Sequence, residues 1–379
     1  RVDPRVFEAM TPFFLEDFGN AASRNHPFGW KAEEAVDYAR EQVAKLIGAD
    51  PKEIIITSGA TEGDNLGIKG VFEMYASKGN HIITCTTEHK AVLDTCKHLE
   101  KLGAEVTYLE VQPDGLIDLK QLEAAMKPTT ILVAIMYANN EIGVIQPVKE
   151  IGAIAKKHGA LFFTDAVQAV GKIPVDVEKL KIDMLCLSAH KFHGPKGVGA
   201  LYIKKNIHLK PLIYGGGQEK GMRSGTMNVP GIVGLAKACE ISINEISSKS
   251  KVLSYLEVNL LKEFDCEIIG GDIERTPYIC NVIFNNVDAD VVIGKLMDTI
   301  ISTGSACTSE INEPSHVLKN MGIYDEKAFG SIRFSISKYT TINEIDRAIE
   351  ELKKVATYNL IDIEITEPNL EEIFLHFYE

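Results

Sequence analysis

The chain has 379 residues, with 53 acidic against 40 basic side chains and a net charge of -13. That length suits two domains with a large buried core, at ~100 to 200 residues per domain, and the 45% hydrophobic content is that of a globular protein. The acidic balance, with no basic run or aromatic-basic stripe, argues against a phosphate-backbone binder, so no direct nucleic-acid partner is expected. No apolar run approaches the ~18 residues of a membrane span, and no charged-then-apolar signal opens the chain. Seven scattered cysteines without a CxxC pair lower the case for a zinc or dithiol site and suit a reducing compartment. The expectation is a cytoplasmic protein without a membrane partner.

The chain opens on Arg1 in a helix-like stretch, so an upstream segment is expected. Apolar runs bounded by turn residues then predict strands at 53–57, 81–84, 105–109, 130–136, 161–164, 184–188 and 199–203. Between them lie helical patterns at 32–47, 64–78, 90–101 and 148–158. That alternation predicts an α/β unit with a mostly parallel seven-stranded sheet, whose ligands favour the carboxyl ends of the strands. From 231 to about 261 runs one long helical pattern, read as a connecting helix. Strands at 266–269, 281–284 and 331–335 and helices at 289–298 and 342–352 then predict a smaller α+β domain. The division expected is a large domain over 1–245, a small domain over 246–360 and an atypical tail over 361–379.

Chemistry concentrates at the strand ends. Lys191, in Ser188-Ala189-His190-Lys191, follows a strand and precedes a glycine-rich turn, a placement from which an amine can form a Schiff base with an aldehyde cofactor. Asp165 ends a strand 26 positions earlier, where a carboxylate can keep a pyridinium nitrogen protonated. Each also has a plain reading, as a solvated loop lysine and a helix cap. The small residues Thr57-Ser58-Gly59-Ala60-Thr61-Glu62-Gly63 offer backbone N–H groups at a helix N-terminus, suited to a phosphate dianion or to an ordinary capped turn. No GxxxxGK[ST] pattern accompanies them, which excludes a nucleotide P-loop. His89 starts the helix after the second strand and can stack on a ring, move protons or simply cap. Asn139-Asn140-Glu141-Ile142-Gly143 offers polar contacts or a plain turn. Gly215 to Thr226 suits a phosphate, a subunit boundary or a surface loop, and Arg333 inside a strand-like run needs an anion. Cys307 sits in Ser302-Thr303-Gly304-Ser305-Ala306-Cys307-Thr308-Ser309, the composition of a mobile loop, and suggests covalent sulfur chemistry. Five of these features fall at successive strand ends, where chance would scatter them.

With those residues in hand, the chain resembles the pyridoxal-phosphate-dependent cysteine desulfurases of the IscS/NifS type over 2–358. The most specific pieces are Phe18-Gly19-Asn20-Ala21-Ala22-Ser23, Thr57 to Glu62, Thr87-Glu88-His89-Lys90, Asn139 to Gly143, His190-Lys191, Gly221 to Thr226 and Ser305 to Ser309. The resemblance implies fold type I of the pyridoxal-phosphate transferases, the aspartate aminotransferase-like fold. It implies that Lys191 holds the cofactor covalently, that Asp165 pairs with the ring nitrogen and that Gln168 touches the phenolic oxygen. His89 would stack on the ring; Ala60, Thr61, Ser188 and His190 would hold the phosphate, joined by Thr226 from a second copy, which requires a homodimer. Asn140 and Arg333 would grip the substrate carboxylate.

The implied reaction converts L-cysteine to L-alanine and leaves a persulfide on Cys307, whose thiolate His89 or the cationic pocket helps to form. The SGSACTS-type loop implies delivery to an iron-sulfur scaffold protein and to tRNA-thiolation carriers. No resident metal is expected, only transient ligation of a nascent cluster by Cys307. The segment 367–375 resembles the end of ABC-transporter ATPase subunits, without a Walker motif. Alternatives are an aminotransferase or selenocysteine lyase on the same fold, or a weakly catalytic binding subunit of a sulfur-transfer complex.

Overall fold

In the computed structural model, which describes residues 1–246, 251–303 and 315–356, seven strands form one sheet: β1 (Ile54–Thr57), β2 (His81–Cys85), β3 (Glu105–Leu109), β4 (Thr130–Ala134), β5 (Leu161–Asp165), β6 (Met184–Ser188) and β7 (Gly199–Ile203). Their order is β1-β7-β6-β5-β4-β2-β3. Pairs from β6 across to β3 are parallel, while β7 runs antiparallel to both β6 and β1. Being antiparallel to β7 on its two sides, β1 and β6 share a direction. Every residue of β1, β2, β4, β6 and β7 is buried, as a sheet covered on both faces requires.

One face packs on the helices Pro27–Ile47 and Val229–Glu245, the other on Ala60–Met74 and Lys90–Glu100. Ala60–Met74 lies close to the sheet because Gly63 and Gly67 face it. A Cβ on Gly63 would meet the Cys186 Cβ at 2.9 Å, and one on Gly67 would meet the Phe163 ring at 2.7 Å. Residues Gly63, Asp64, Gly67, Ile68 and Val71 are all buried on that helix, so Asp64 lies on its apolar face.

A second, three-stranded antiparallel sheet joins β8 (Cys266–Ile268), β9 (Ile279–Phe284) and β10 (Ser331–Ser335) in the order β10-β9-β8. Leu256, Val282, Ile332 and Ile349 form its core with the helices Lys251–Glu263 and Ile342–Ala356. A further cluster, Ile142 and Val144 with Ile269, Ile283, Val317 and Leu318, ties this unit to the loop after β4.

The long connecting helix expected from 231 to 261 is instead two helices, Val229–Glu245 and Lys251–Glu263. The first ends because Ile246 takes φ -59° and ψ 119°, leaving the helical region. Aliphatic periodicity continues across the break, which is why the pattern hides it.

Candidate active site

The shared direction of β1, β2, β4, β5 and β6 sends their following segments to one edge of the sheet. A cavity of about 830 Å³ opens there. Ala60, Thr61, His89, Asn140, Asp165, Gln168, Ser188, His190, Lys191 and Arg333 all line it, so the expected site residues converge. Thr226, assigned to a second copy, is exposed and lies away from this chain's own cavity. Cys307 and the tail 361–379 lie outside the described residues.

Backbone N–H groups supply the first feature. The helix Ala60–Met74 begins at Gly59 with no side-chain cap, whereas His89 Nδ1 accepts from Ala91 N at 3.1 Å to cap the next helix. A 15-residue helix with uncapped N–H groups facing the cavity attracts a dianion. Ser188 Oγ stands 2.9 Å from His190 Nδ1 beside it. Burial and the neighbouring Lys191, Lys196 and Lys172 hold the His190 pKa below its usual value, so the ring is neutral near pH 7.

Asp165 supplies the second. Its Oδ1 accepts from Val167 N at 2.9 Å, so it caps a turn and lines the cavity at once. Burial pushes its pKa up, and the charges of His89 and Lys191 pull it back. Asp64 and Glu88, also buried, lie behind it. Burial and the charge of Asp165 raise both of them well above the carboxylate range. The Cys186 thiol donates to Asp64 Oδ1 at 2.9 Å, and Glu88 Oε1 accepts from Met136 N at 2.6 Å. Of the three acids, Asp165 is the one that a neighbouring cation, Lys191, draws back toward the charged form. Asp64, Asp165 and Cys186 gather in the manner of metal ligands, but burial keeps the thiol protonated and donating.

A polar loop closes the cavity from the second sheet. Asn139 Nδ2 donates to Thr87 O at 3.0 Å and its Oδ1 accepts from Glu141 N at 2.8 Å, which fixes the turn that presents Asn140. Arg333 on β10 donates to Asn140 O at 3.1 Å and to Ser302 Oγ at 3.0 Å. Its backbone N–H also donates to Ser302 O at 2.7 Å. Arg333 thus joins the loop after β4 to Ser302.

Comparison with known proteins follows the same lines. The family model described as aminotransferase class-V matches residues 1–348. This chain belongs to that family. A relative named "Cysteine desulfurase IscS" from Proteus mirabilis is 53% identical over 359 residues, 93% of this chain and 89% of the relative. One of the same name from Klebsiella pneumoniae is 52% identical over 361 residues, with the same shares covered. A solved structure titled "NIFS-LIKE PROTEIN" superposes with a TM-score of 0.88 at 42% identity, covering 94% of this chain and 97% of that one. Another, "SspA in complex with cysteine", gives 0.82 at 40% identity over 90% and 97%.

The class-V family uses pyridoxal phosphate, and the residues present fit that group. An uncapped helix end suits the phosphate, a buried carboxylate with Lys191 beside it suits a pyridinium nitrogen, and a lysine at the same cavity suits the aldehyde.

Among the lining residues that escaped the sequence reading are Lys172 and His316. Lys172 donates from Nζ to Gln168 Oε1, and His316, at the start of a short helix, has Nε2 3.1 Å from Glu88 O. The i,i+4 spacing of Gln168 and Lys172 was the available signal for the first.

Proposed function

We propose that this chain is a pyridoxal-phosphate-dependent cysteine desulfurase that converts L-cysteine to L-alanine and stores the sulfur as a persulfide on Cys307. The reading is carried by one observation: Lys191, Asp165 and an uncapped helix N-terminus face one cavity in a chain 53% identical to a named desulfurase. Lys191 is the residue that holds the cofactor covalently, with Asp165 at its ring nitrogen and Gln168 at its phenolic oxygen. Ala60, Thr61, Ser188 and His190 hold its phosphate, with Thr226 of a second copy. When bound, pyridoxal phosphate supplies a sink for electrons released at the substrate Cα.

Arg333 and Asn140 orient the substrate by its carboxylate. Lys191 Nζ would be the base that moves the proton at the substrate Cα. His89, whose Nδ1 accepts from Ala91 N, presents its Nε2–H to the cavity, where as a donor it favours the thiolate form of Cys307. The Cys307 thiolate then attacks the substrate sulfur. An S–S bond forms as the Cβ–S bond breaks; the electron pair stays with carbon, which takes a proton, and L-alanine leaves.

The enzyme acts as a homodimer in this reading. Phe14, Leu15, Phe18, Phe28 and Trp30 are large apolar side chains more than half exposed, a surface that a second copy covers. Persulfide is handed to an iron-sulfur scaffold protein and to tRNA-thiolation carriers in the cytoplasm. Among the described residues no helix is long and apolar enough to cross a membrane. The large unit spans 1–245 and the small unit 246–360.

L-Alanine release from L-cysteine tests the reading, with the cofactor-loaded protein run beside Cys307→Ala and a reductant present to clear persulfide. Alanine from the parent alone is expected. Equal release from both favours an aminotransferase-like enzyme, and none from either favours a binding subunit.

A further inference from the structure

Among the described residues, the carboxylates that line the cavity are committed elsewhere. Glu62 pairs with Arg223, Glu245 with Arg5 and Lys338, and Glu141 accepts from the Ser315 hydroxyl. Asp165 accepts from Val167 N and has Lys191 beside it. Lys172, at the same cavity, has no carboxylate partner among the described residues. Lys172 follows Gly171, whose φ of 75° and contact with Phe192, 2.7 Å from a would-be Cβ, admit only glycine. The turn directs Lys172 back along the cavity, where its amine donates to Gln168 Oε1 and stands near Lys191 and His190. Burial and the charge of Lys191 bring its pKa down to about 7.

We propose that Lys172 is a positioning residue of this site: its amine fixes the Gln168 amide with Nε2 turned to the cavity, and its charge stands uncompensated beside Lys191. An ammonium has donors only, so the amide atom touching it is the oxygen and the amide N–H groups point away. The Gln168 donors are thereby aimed where the phenolic oxygen is expected, an inference that rests on the cofactor reading above. A second cation beside Lys191 also disfavours a proton on the Lys191 nitrogen. At an effective dielectric constant of ~20, a neighbouring unit charge shifts that proton equilibrium by on the order of one pH unit. When Lys172 is neutral its nitrogen can accept instead, so the amide is free to turn.

Two measurements test this. The first is trace acetylation of the wild-type protein across pH with peptide mapping by mass spectrometry, which needs neither cofactor nor variant. Lys172 is expected to titrate near pH 7, and a midpoint in the range of an ordinary lysine, ~10.4, overturns the proposal. The second is the pH midpoint of the holoenzyme's visible absorbance, which reports protonation at the Lys191 nitrogen. Lys172→Met should raise it by up to roughly one unit, while Lys172→Arg, charged throughout, should leave it unchanged or lower it. Equal midpoints in all three, or equal shifts in both variants, would mean that the lysine only fills space. A wild-type protein with no visible band refutes the cofactor reading and leaves the acetylation midpoint to decide Lys172. If Lys172→Met does not fold, the acetylation midpoint again decides.

Discussion

Asp3→Asn removes the charge from a buried carboxylate that ties three parts of the chain together. The Asp3 side chain is 1% exposed and accepts from Arg5 N and Nε, each at 3.0 Å, from Arg5 Nη2 at 2.8 Å, from Lys338 Nζ at 2.6 Å and from Tyr339 OH at 2.7 Å. Lys338 and Arg5 also bond Glu245, so the knot joins the N-terminal helix, the helix Val229–Glu245 and the segment after β10. Breaking a fully buried pair costs ~3 to 5 kcal/mol, but Arg5 is half exposed and water screens it. The expected loss at pH 7 is therefore about 2 kcal/mol. The Arg5 and Lys338 partners hold the Asp3 carboxyl far below the usual range. A lowered folded pKa gives stability that is fully present above the unfolded value of ~3.9 and fades as pH falls beneath it. Urea unfolding at pH 7 and at steps from 5 to 3 should show a gap between wild type and Asp3→Asn that narrows by up to about 1.4 kcal/mol per unit below pH 4. No gap at pH 7, or one unchanged at pH 3, refutes the ionic account.

Two further variants probe the buried face behind the cavity. Asp64 has its pKa raised above the unfolded value, so its ionisation destabilises the fold as pH climbs through ~3.9 toward the folded pKa. Asp64→Asn keeps an acceptor for the Cys186 thiol and removes that penalty; its stability relative to wild type should rise between pH 5 and pH 8, read from paired unfolding curves. Gly67→Ala places a methyl 2.7 Å from the Phe163 ring and should cost ~1 to 3 kcal/mol with a lowered melting temperature, whereas an unchanged melt would show that the helix can shift.

Much of the sheet was legible because its strands are buried on both faces and therefore read as unbroken apolar runs. The β6 run Met184-Leu185-Cys186-Leu187-Ser188 is one case, buried throughout. The direction of β7 was less plain, yet the 10 residues from Ala189 to Val198 are too few for a parallel crossover of a dozen or more. The helix break at Ile246 left no trace because Ile241, Leu253 and Leu256 keep apolar spacing on either side of it. Within the site, Asp165, Lys191 and His89 were visible because each ends or follows a strand. Lys172 was not, since its place depends on Gly171 sitting against Phe192, a contact between segments distant in sequence.

Asp64 shows what a charged letter on an apolar stripe can mean. It falls one residue after Gly63 and three before Gly67, on the face that both glycines press to the sheet, so its burial follows from the periodicity. Buried without a cation, a carboxyl stays protonated, and the thiol of Cys186 meets one of its oxygens. Glu88 repeats the arrangement with a backbone N–H from Met136. Two acids that burial draws toward the neutral form then stand behind Asp165, which Lys191 draws back toward the charged form at the cavity side. A carboxylate so placed can neutralise a pyridinium without being discharged from behind, because ionising either neighbour would first have to overcome its negative field.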